Sequence, residues 1–326
     1  MPAARRSRTA TRAVLGTAAL GAACLAYAGG YEVRAFTLRR CSVPVLPPGS
    51  APLRVLHVSD LHLTPGARAR QAWVAGLAAL EPDLVVDTGD NLAHPEAVPH
   101  VLRSLGRLLD VPGVYVWGSN DYVAPAPKNP LAYLLRPSRP RPESRPELPW
   151  RDLDAGFRRA GWTDLTHTRT TLTVQGVRIG FVGTDDAHLG LARYETVAGP
   201  VDRSAVDVSL AVTHAPYRAV IDAMAADGHD LLLAGHTHGG QVCVPGHGAL
   251  VTNCDLDTAR VKGLSTHTAG GHTSYLHVSA GLGTSPYAPV RFACRPEATL
   301  LTLTALSEAA GSGGTAAEGR VRAERP

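Results

Sequence analysis

The sequence predicts an α/β fold, and three observations lead to that prediction. Short hydrophobic runs suited to buried strands alternate with segments whose apolar residues recur at helical spacing. Several strand-like runs end in a group of polar residues, as strands of open α/β sheets do at a ligand-binding edge. The 326 residues are 44% hydrophobic and 18% charged, which is typical of a globular protein and excludes a wholly disordered or collagen-like chain.

The distribution of charge argues against a nucleic-acid-binding protein. The net charge is +4, but the first 40 residues carry seven arginines and one glutamate, whereas the remainder carries 25 basic and 27 acidic residues. The positive charge therefore belongs to the N-terminus and not to a basic face of the folded domain. The five cysteines include no CxxC pair, which excludes a dense disulfide scaffold and a structural zinc site of that type.

Residues 1–43 form a predicted signal or anchor segment. Nineteen uncharged residues, Ala13 to Tyr31, are enough to span a bilayer as an apolar helix, although they are rich in alanine and glycine. Arginines precede this stretch, and Ala26-Tyr27-Ala28 offers a signal-peptidase site. We expect an uncleaved single span with the folded domain outside the cytoplasm. Secretion after cleavage and a helix buried in the domain are the alternatives.

The prolines of residues 44–52 predict a linker, so the folded domain is expected to cover residues 53–306. Its first part alternates strands and helices. They are a strand over Leu53–Ser59, a helix over Arg68–Leu80, a strand over Asp83–Asp87, a helix over Val98–Leu109 and a strand over Gly113–Trp117.

Residues 124–150 interrupt this alternation with eight prolines and several arginines, which predicts an irregular insertion. Short β runs follow, at 171–174, 178–182, 208–213, 231–234, 275–279 and 299–304. Residues 307–326 are rich in glycine, alanine and charge, which predicts a disordered tail.

Five segments share one design, a hydrophobic strand followed at once by polar side chains. They are Val58-Ser59-Asp60-Leu61-His62, Thr88-Gly89-Asp90-Asn91, Gly118-Ser119-Asn120-Asp121, Val212-Thr213-His214-Ala215-Pro216 and Gly235-His236-Thr237-His238-Gly239-Gly240. The carboxyl ends of strands meet at one edge of an α/β fold, so we expect these segments to converge.

The residue types in these segments suit two divalent metal ions. Carboxylates and imidazoles dominate and no thiolate is present, which fits manganese, iron and zinc alike. Asp60 and His62 are two residues apart and can chelate one ion, and His236 and His238 repeat the spacing. Asp90 can bridge two ions through its two oxygens. Ions roughly 3.5–4 Å apart would hold a bridging hydroxide able to attack phosphorus.

The order of these segments resembles the calcineurin-like metallophosphoesterase superfamily, with the pattern D-x-H, GD-x, GNH-[DE], a lone H and GH-x-H. "VLHVSDLHL" and "AGHTHGGQV" behind an N-terminal apolar segment are similar to its membrane-anchored bacterial branch. The resemblance covers residues 53–304. It implies a four-layer α/β/β/α sandwich, a dinuclear metal centre and hydrolysis of a phosphate ester.

The resemblance also implies a ligand for each metal. The first ion would be bound by Asp60, His62 and His238, with Asp90 as the bridge; the second would be bound by His214, His236 and an amide oxygen of the third motif. That motif departs from the family. Ungapped, Ser119 stands at the amide position and Asn120 at the histidine position. We expect Asn120 to be the ligand because a serine hydroxyl is the poorer donor, and Ser119 to face the substrate.

The usual histidine that assists the leaving group is therefore missing. His94, four residues after Asp90, and His188 are candidates for a replacement general acid, although each is also compatible with a plain surface histidine. Asn91 is a candidate for contact with the substrate phosphate. Without a general acid, which contributes roughly 10²- to 10⁴-fold, we expect a slow enzyme or one restricted to good leaving groups.

These expectations combine into a metal-dependent phosphoesterase at a membrane, acting on a phosphorylated small molecule or a lipid-linked ester or pyrophosphate. The main alternative is a non-catalytic phosphate-binding membrane protein in which the altered third motif holds its metal weakly. Another alternative is an enzyme that uses the same metals on a non-phosphate ester or amide. The sequence leaves metal identity and oligomeric state open.

Overall fold

The predicted α/β fold is confirmed. The structure, a computed structural model, describes residues 2–127 and 145–307. Two six-stranded sheets lie face to face with helices on their outer sides. The first sheet has the strand order β1 (Thr37–Leu46), β14 (Glu297–Ala305), β2 (Leu53–Val58), β3 (Leu84–Asp87), β4 (Gly113–Tyr115), β5 (Thr163–Asp164).

The second sheet has the order β12 (Gly263–Ala269), β13 (His272–Val278), β9 (Leu231–Ala234), β8 (Val208–Val212), β7 (Val177–Gly183), β6 (Thr168–Val174). A short hairpin joins β10 (Cys243–Val244) to β11 (Gly248–Ala249). Strands β2, β3 and β4 run parallel to one another, as do β7, β8 and β9. The carboxyl ends of β2, β3, β4, β8 and β9 carry the motif segments.

The helices are α1 (Pro2–Ala26), α2 (Arg68–Gly76), α3 (Val98–Leu105), α4 (Ser119–Tyr122), α5 (Trp150–Arg159) and α6 (Arg218–Ala226). Alternation along β2 shows how the layers form, since successive side chains of a strand face opposite sides. Val55 joins the core between the sheets, whereas Leu56 joins the core under α2, α3 and α5. Met224 of α6 packs against the outer face of the second sheet.

The predicted start of the domain near Leu53 is too late. Strand β1 begins at Thr37 and pairs in parallel with β14, so part of the expected anchor and linker belongs to the first sheet. Pro44 is tolerated because β1 is an edge strand with one partner and its register shifts after this residue. Upstream, the buried Glu32 carboxylate accepts the backbone N–H groups of Ala293 and Cys294.

The N-terminal segment is helical, but the predicted span is not found. Within the described residues, no helix combines the length and apolar character that crossing a bilayer requires. The stretch is rich in alanine and glycine, whose side chains contribute little hydrophobicity. The alternative of a helix buried in the domain does not fit either, because Leu15, Leu20 and Leu25 are each more than 60% exposed.

The insertion predicted over 124–150 is described only at its ends, since residues 128–144 lie outside the described part. Val123 and Glu147 form an antiparallel bridge across its base, and α5 begins at Trp150. Most of the predicted tail, residues 308–326, also lies outside the described residues.

Candidate metal centre

The five polar segments converge at one edge of the two sheets. Strands β2, β3 and β4 deliver Asp60, His62, Asp90 and the third motif from the first sheet, and β8 and β9 deliver the remaining histidines from the second. The predicted ligands leave the strands through unusual backbone conformations. Positive φ angles occur at Asp60, His62, Asp90, His236 and His238. Such conformations cost roughly 1–3 kcal/mol each, and they cluster where a site fixes side-chain directions.

Four side chains form what we call the first cluster: Asp60, His62, Asp90 and His238. One ligand atom from each lies within 4.8 Å of all the others. Nε2 of His62 is 3.2 Å from Nε2 of His238 and 3.4 Å from Oδ2 of Asp90. Oδ1 of Asp60 is 3.6 Å from Nε2 of His238 and has no hydrogen-bond partner although it is buried.

These residues fit a divalent cation. Two imidazole nitrogens and two carboxylates are a normal ligand set for a transition metal. Their atoms are close enough to surround one ion, and the unpartnered buried oxygen of Asp60 is an atom that a cation would satisfy.

The second cluster consists of His214, His236 and Asn120 and shares Asp90 with the first. Nε2 of His214 lies 3.6 Å from Oδ1 of Asp90, is fully buried and has no hydrogen-bond partner. Its Nδ1 is 2.6 Å from the carbonyl oxygen of Thr88, which fixes the ring. The ring centroids of His214 and His236 are 5.2 Å apart.

His236 and Asn120 are already engaged by other groups. Nε2 of His236 is 3.2 Å from both the backbone oxygen and the side-chain nitrogen of Asn253. Asn120 donates its backbone N–H to Oδ1 of Asp90 at 2.7 Å and its amide N–H to Oδ2 at 2.6 Å. The amide oxygen predicted to bind metal instead accepts a hydrogen bond from Arg145 at 3.4 Å. Asn120 thus orients Asp90, and its oxygen would face a metal only after rotation of the amide.

Electrostatics divide the carboxylates. Burial raises the pKa of Asp60 to about 6. Burial also raises the pKa of Asp90, but the charges of His214 and His62 outweigh it, so the net pKa is lowered. For His214, burial lowers the pKa, but the nearby carboxylates, Asp90 above all, raise it by more. The net result is a His214 pKa raised to about 9.

Two buried aspartates that support the site were missed by sequence reasoning. Both oxygens of Asp121 accept backbone hydrogen bonds, from Asp90, Asn91, Leu92 and Gly118 at 2.7 to 3.2 Å. Asp87 accepts the N–H of Gly89 at 2.8 Å. The sequence did contain a signal for both residues. Asp121 is the acidic last position of the third motif, and Asp87 stands at the end of a predicted strand.

Arg291 is another residue that supports the site and that the sequence did not predict. Its guanidinium is fully buried and donates to the carbonyl oxygens of Ala280 and Gly283, each at 2.7 Å, and of Gly281 at 3.0 Å. Nη2 lies 3.3 Å from Nδ1 of His238. This arginine therefore holds the loop against which His238 packs. A lone arginine far along the chain gave no pattern that could have revealed it.

The other predicted residues lie in different environments. Asn91 is fully buried and donates to Oδ1 of Asp87 at 3.2 Å, which suits a structural role rather than the predicted substrate contact. Ser119 is 5% exposed, and its hydroxyl oxygen is 3.4 Å from the amide nitrogen of Asn120. His94 is exposed, and its Nδ1 accepts the N–H of Glu96. His188 lies beside the second cluster, with its ring centroid 4.5 Å from that of His236 and the two rings tilted by 47°.

Gly235 and Gly281 leave room for Asp60. A β-carbon at Gly235 would overlap the Ser59 hydroxyl and lie 2.7 Å from Oδ2 of Asp60. One at Gly281 would lie 2.5 Å from the β-carbon of Asp60. Gly281 also has a φ of +66°, which side chains rarely adopt. The carboxylate can occupy this place only because both positions lack side chains.

Comparison with known proteins agrees with this geometry. The family model described as "Calcineurin-like phosphoesterase" matches residues 53–240. The chain is 26% identical over 301 residues to the uncharacterized metallophosphoesterase YkuE of Bacillus subtilis (strain 168), covering 87% of this chain and 93% of that protein. It is 27% identical over 277 residues to the phosphodiesterase YaeI of Escherichia coli (strain K12), covering 82% and 88%.

Among solved structures, a 5'-nucleotidase precursor from Thermus thermophilus matches with a TM-score of 0.41 and 14% identity. The match covers 77% of this chain and about half, 55%, of that protein.

Proposed function

The chain belongs to the calcineurin-like phosphoesterase family and is a hydrolase of phosphate esters, and we propose that it works with two divalent ions bridged by Asp90. The first ion would be held by Asp60, His62 and His238, and the second by His214, His236 and the amide oxygen of Asn120. Manganese, iron and zinc all suit these ligands.

The observation that carries this proposal is the position of Asp90 between the two clusters. Its Oδ2 lies 3.4 Å from Nε2 of His62, and its Oδ1 lies 3.6 Å from Nε2 of His214. Each oxygen of the one carboxylate therefore faces a different imidazole, which is the arrangement that a bridging ligand requires. The two N–H groups of Asn120 fix the orientation of this carboxylate.

The chain's own residues define what chemistry is available. When bound, two ions supply an activated water near neutral pH and neutralise charge on the phosphoryl group. Asp121 fixes the backbone of the Asp90 loop by accepting the N–H groups of Asp90, Asn91 and Leu92. Asn120 cannot donate a proton as a histidine would, so esters with good leaving groups are favoured. The similarity to a protein of Escherichia coli named a phosphodiesterase supports a phosphodiester as the substrate class.

The test is hydrolysis of bis(p-nitrophenyl) phosphate and p-nitrophenyl phosphate by the full chain, after chelation and then with Mn²⁺ restored. Activity should require metal and fall roughly 10³-fold or more in Asp90→Asn, because metal catalysis contributes several kcal/mol. The exposed Asp110→Asn is the matched control and should keep full activity.

The alternative is a non-catalytic protein. It is favoured by the Asn120 amide, which already bonds to Asp90 and Arg145 and so is not free to bind a metal. The number of metal ions bound per chain separates the two hypotheses. An active dinuclear site should retain close to two Mn²⁺ ions per chain. A folded protein that binds one ion or none and hydrolyses neither ester would instead support a phosphate-binding role.

We also propose that the N-terminal helix keeps the enzyme at a membrane, with the catalytic domain outside the cytoplasm and a lipid-linked ester within its reach. Support comes from the exposed Leu15, Leu20 and Leu25 of α1 and from the arginines that precede them. Full-length protein should float with vesicles containing phosphatidylglycerol, and replacing the three leucines with serine should abolish flotation. Equal flotation of both proteins would remove this part of the proposal.

A further inference from the structure

The third motif lacks a positive charge at the position where the related family has a histidine. Asn120 stands there, and an amide carries no charge. The structure brings a cation to this place from another part of the chain. Nη2 of Arg145, at the end of the proline-rich insertion, donates a hydrogen bond to Oδ1 of Asn120 at 3.4 Å.

Arg145 is held by the backbone that follows the third motif. Its Nε donates to the carbonyl oxygen of Ala124 at 2.6 Å, and Nη2 also donates to that of Val123 at 3.3 Å. The segment carrying Arg145 pairs with this backbone, since the N–H of Ala124 donates to the oxygen of Pro146 at 2.8 Å and Val123 bridges Glu147. The guanidinium therefore has a defined position beside α4.

The charge of Arg145 is directed toward the site. Asp90 is almost fully buried, whereas Asn120 and Arg145 are partly exposed, so hydrogen bonds connect the buried Asp90 through Asn120 to the more exposed Arg145. The oxygens that accept the described hydrogen bonds of Arg145 are all neutral. A guanidinium stays protonated at any working pH and offers several N–H donors in a plane, which suits an oxygen of a phosphate ester.

We propose that Arg145 is a catalytic residue that binds the leaving-group oxygen of the substrate. This rests on the proposed phosphoesterase function. As water adds to phosphorus, the bond from phosphorus to the leaving oxygen breaks and its electron pair stays on that oxygen. Arg145 stabilises this negative charge by hydrogen bonding and keeps its own proton; the leaving group receives its proton from water. Arginine thereby replaces the charge of the absent histidine but not its acid function.

The test compares two aryl diesters that differ in the leaving group, bis(p-nitrophenyl) phosphate and diphenyl phosphate. Phenolate develops the more basic oxygen and needs more stabilisation. In Arg145→Gln, kcat/KM should fall about 10²-fold or more on the phenyl ester, the loss typical of one oxyanion donor, and clearly less on the p-nitrophenyl ester. Arg145→Lys should recover part of the loss. The matched control is Arg151→Gln, an exposed arginine of the adjacent helix α5.

A second measurement does not depend on turnover. Inorganic phosphate should bind the Mn²⁺-loaded Arg145→Gln protein about tenfold more weakly than wild type by calorimetry, and Arg151→Gln should bind it normally. An equal loss of kcat/KM on both esters, or unchanged phosphate affinity, would overturn the role of Arg145 while leaving the phosphoesterase proposal intact. Wild-type protein inactive on both esters would overturn both.

Discussion

The first and second clusters share Asp90 but hold their ligand atoms differently. In the first cluster the four ligand atoms converge within 4.8 Å, and Oδ1 of Asp60 is left without a partner. In the second cluster Nε2 of His214 is also free, but His236 contacts Asn253 and the amide oxygen of Asn120 accepts from Arg145. The comparison predicts that an ion in the first cluster would bind a prepared site, whereas an ion in the second cluster would require rearrangement and would bind more weakly.

The largest effect expected from this difference concerns the ligands themselves. His62→Ala should remove the ion of the first cluster and lower activity roughly 10³-fold or more, because a metal ion contributes several kcal/mol to the transition state. His236→Ala should keep one ion and lower activity less than His62→Ala does at saturating Mn²⁺, because the second cluster is the less prepared of the two. Metal analysis and rates on bis(p-nitrophenyl) phosphate measure both effects.

The exposed His247→Ala serves as the control and should match wild type. If His62→Ala and His236→Ala lost metal and activity equally, the prediction that the first cluster binds its ion more strongly than the second would be wrong.

A smaller effect is expected when the third motif is returned to the family pattern. The double variant Ser119→Asn, Asn120→His supplies an amide at the ligand position and a proton donor beside Asp90. Its rate on diphenyl phosphate should rise roughly 10²-fold, the lower range for a general acid, and its affinity for the second Mn²⁺ should increase. Ser119→Asn alone should improve metal binding without the gain in rate. If neither the rate nor the Mn²⁺ affinity changed, the altered third motif would not be the cause of weak metal binding at the second cluster.

The parts of the fold that the sequence predicted are those with a strong local pattern. The helices at 68–80 and 98–109 and the strands β2, β3, β4, β8 and β9 are present near the predicted bounds. Strand β1 was missed because Pro44 and its neighbours indicated a linker, and only the pairing with β14 makes them a strand. Helix α5 was missed because it begins directly after Pro149, at the end of a proline-rich stretch.

The site shows the same division between local and distant information. Asp60, His62, Asp90 and His238 follow strands in short motifs, and the structure brings them together as the sequence predicted. The role of Arg145 depends on a backbone pairing across the insertion, which no local pattern reveals. The direction of the Asn120 amide likewise depends on its partners and not on its position in the motif.

The smallest effect separates the two histidines predicted as replacement acids, His94 and His188. Both lie in loops, but only His188 contacts the second cluster; its Nδ1 is 3.0 Å from the Tyr217 hydroxyl, and its ring centroid is 4.5 Å from that of His236. His188→Ala should therefore lower kcat about tenfold, less than the loss of a true general acid. His94 is exposed and bonded to a backbone N–H, so His94→Ala should change kcat less than twofold. A 10²-fold fall in the kcat of His188→Ala on diphenyl phosphate, without a similar fall on bis(p-nitrophenyl) phosphate, would identify His188 as the general acid. The second cluster would then have its own proton donor despite the altered third motif.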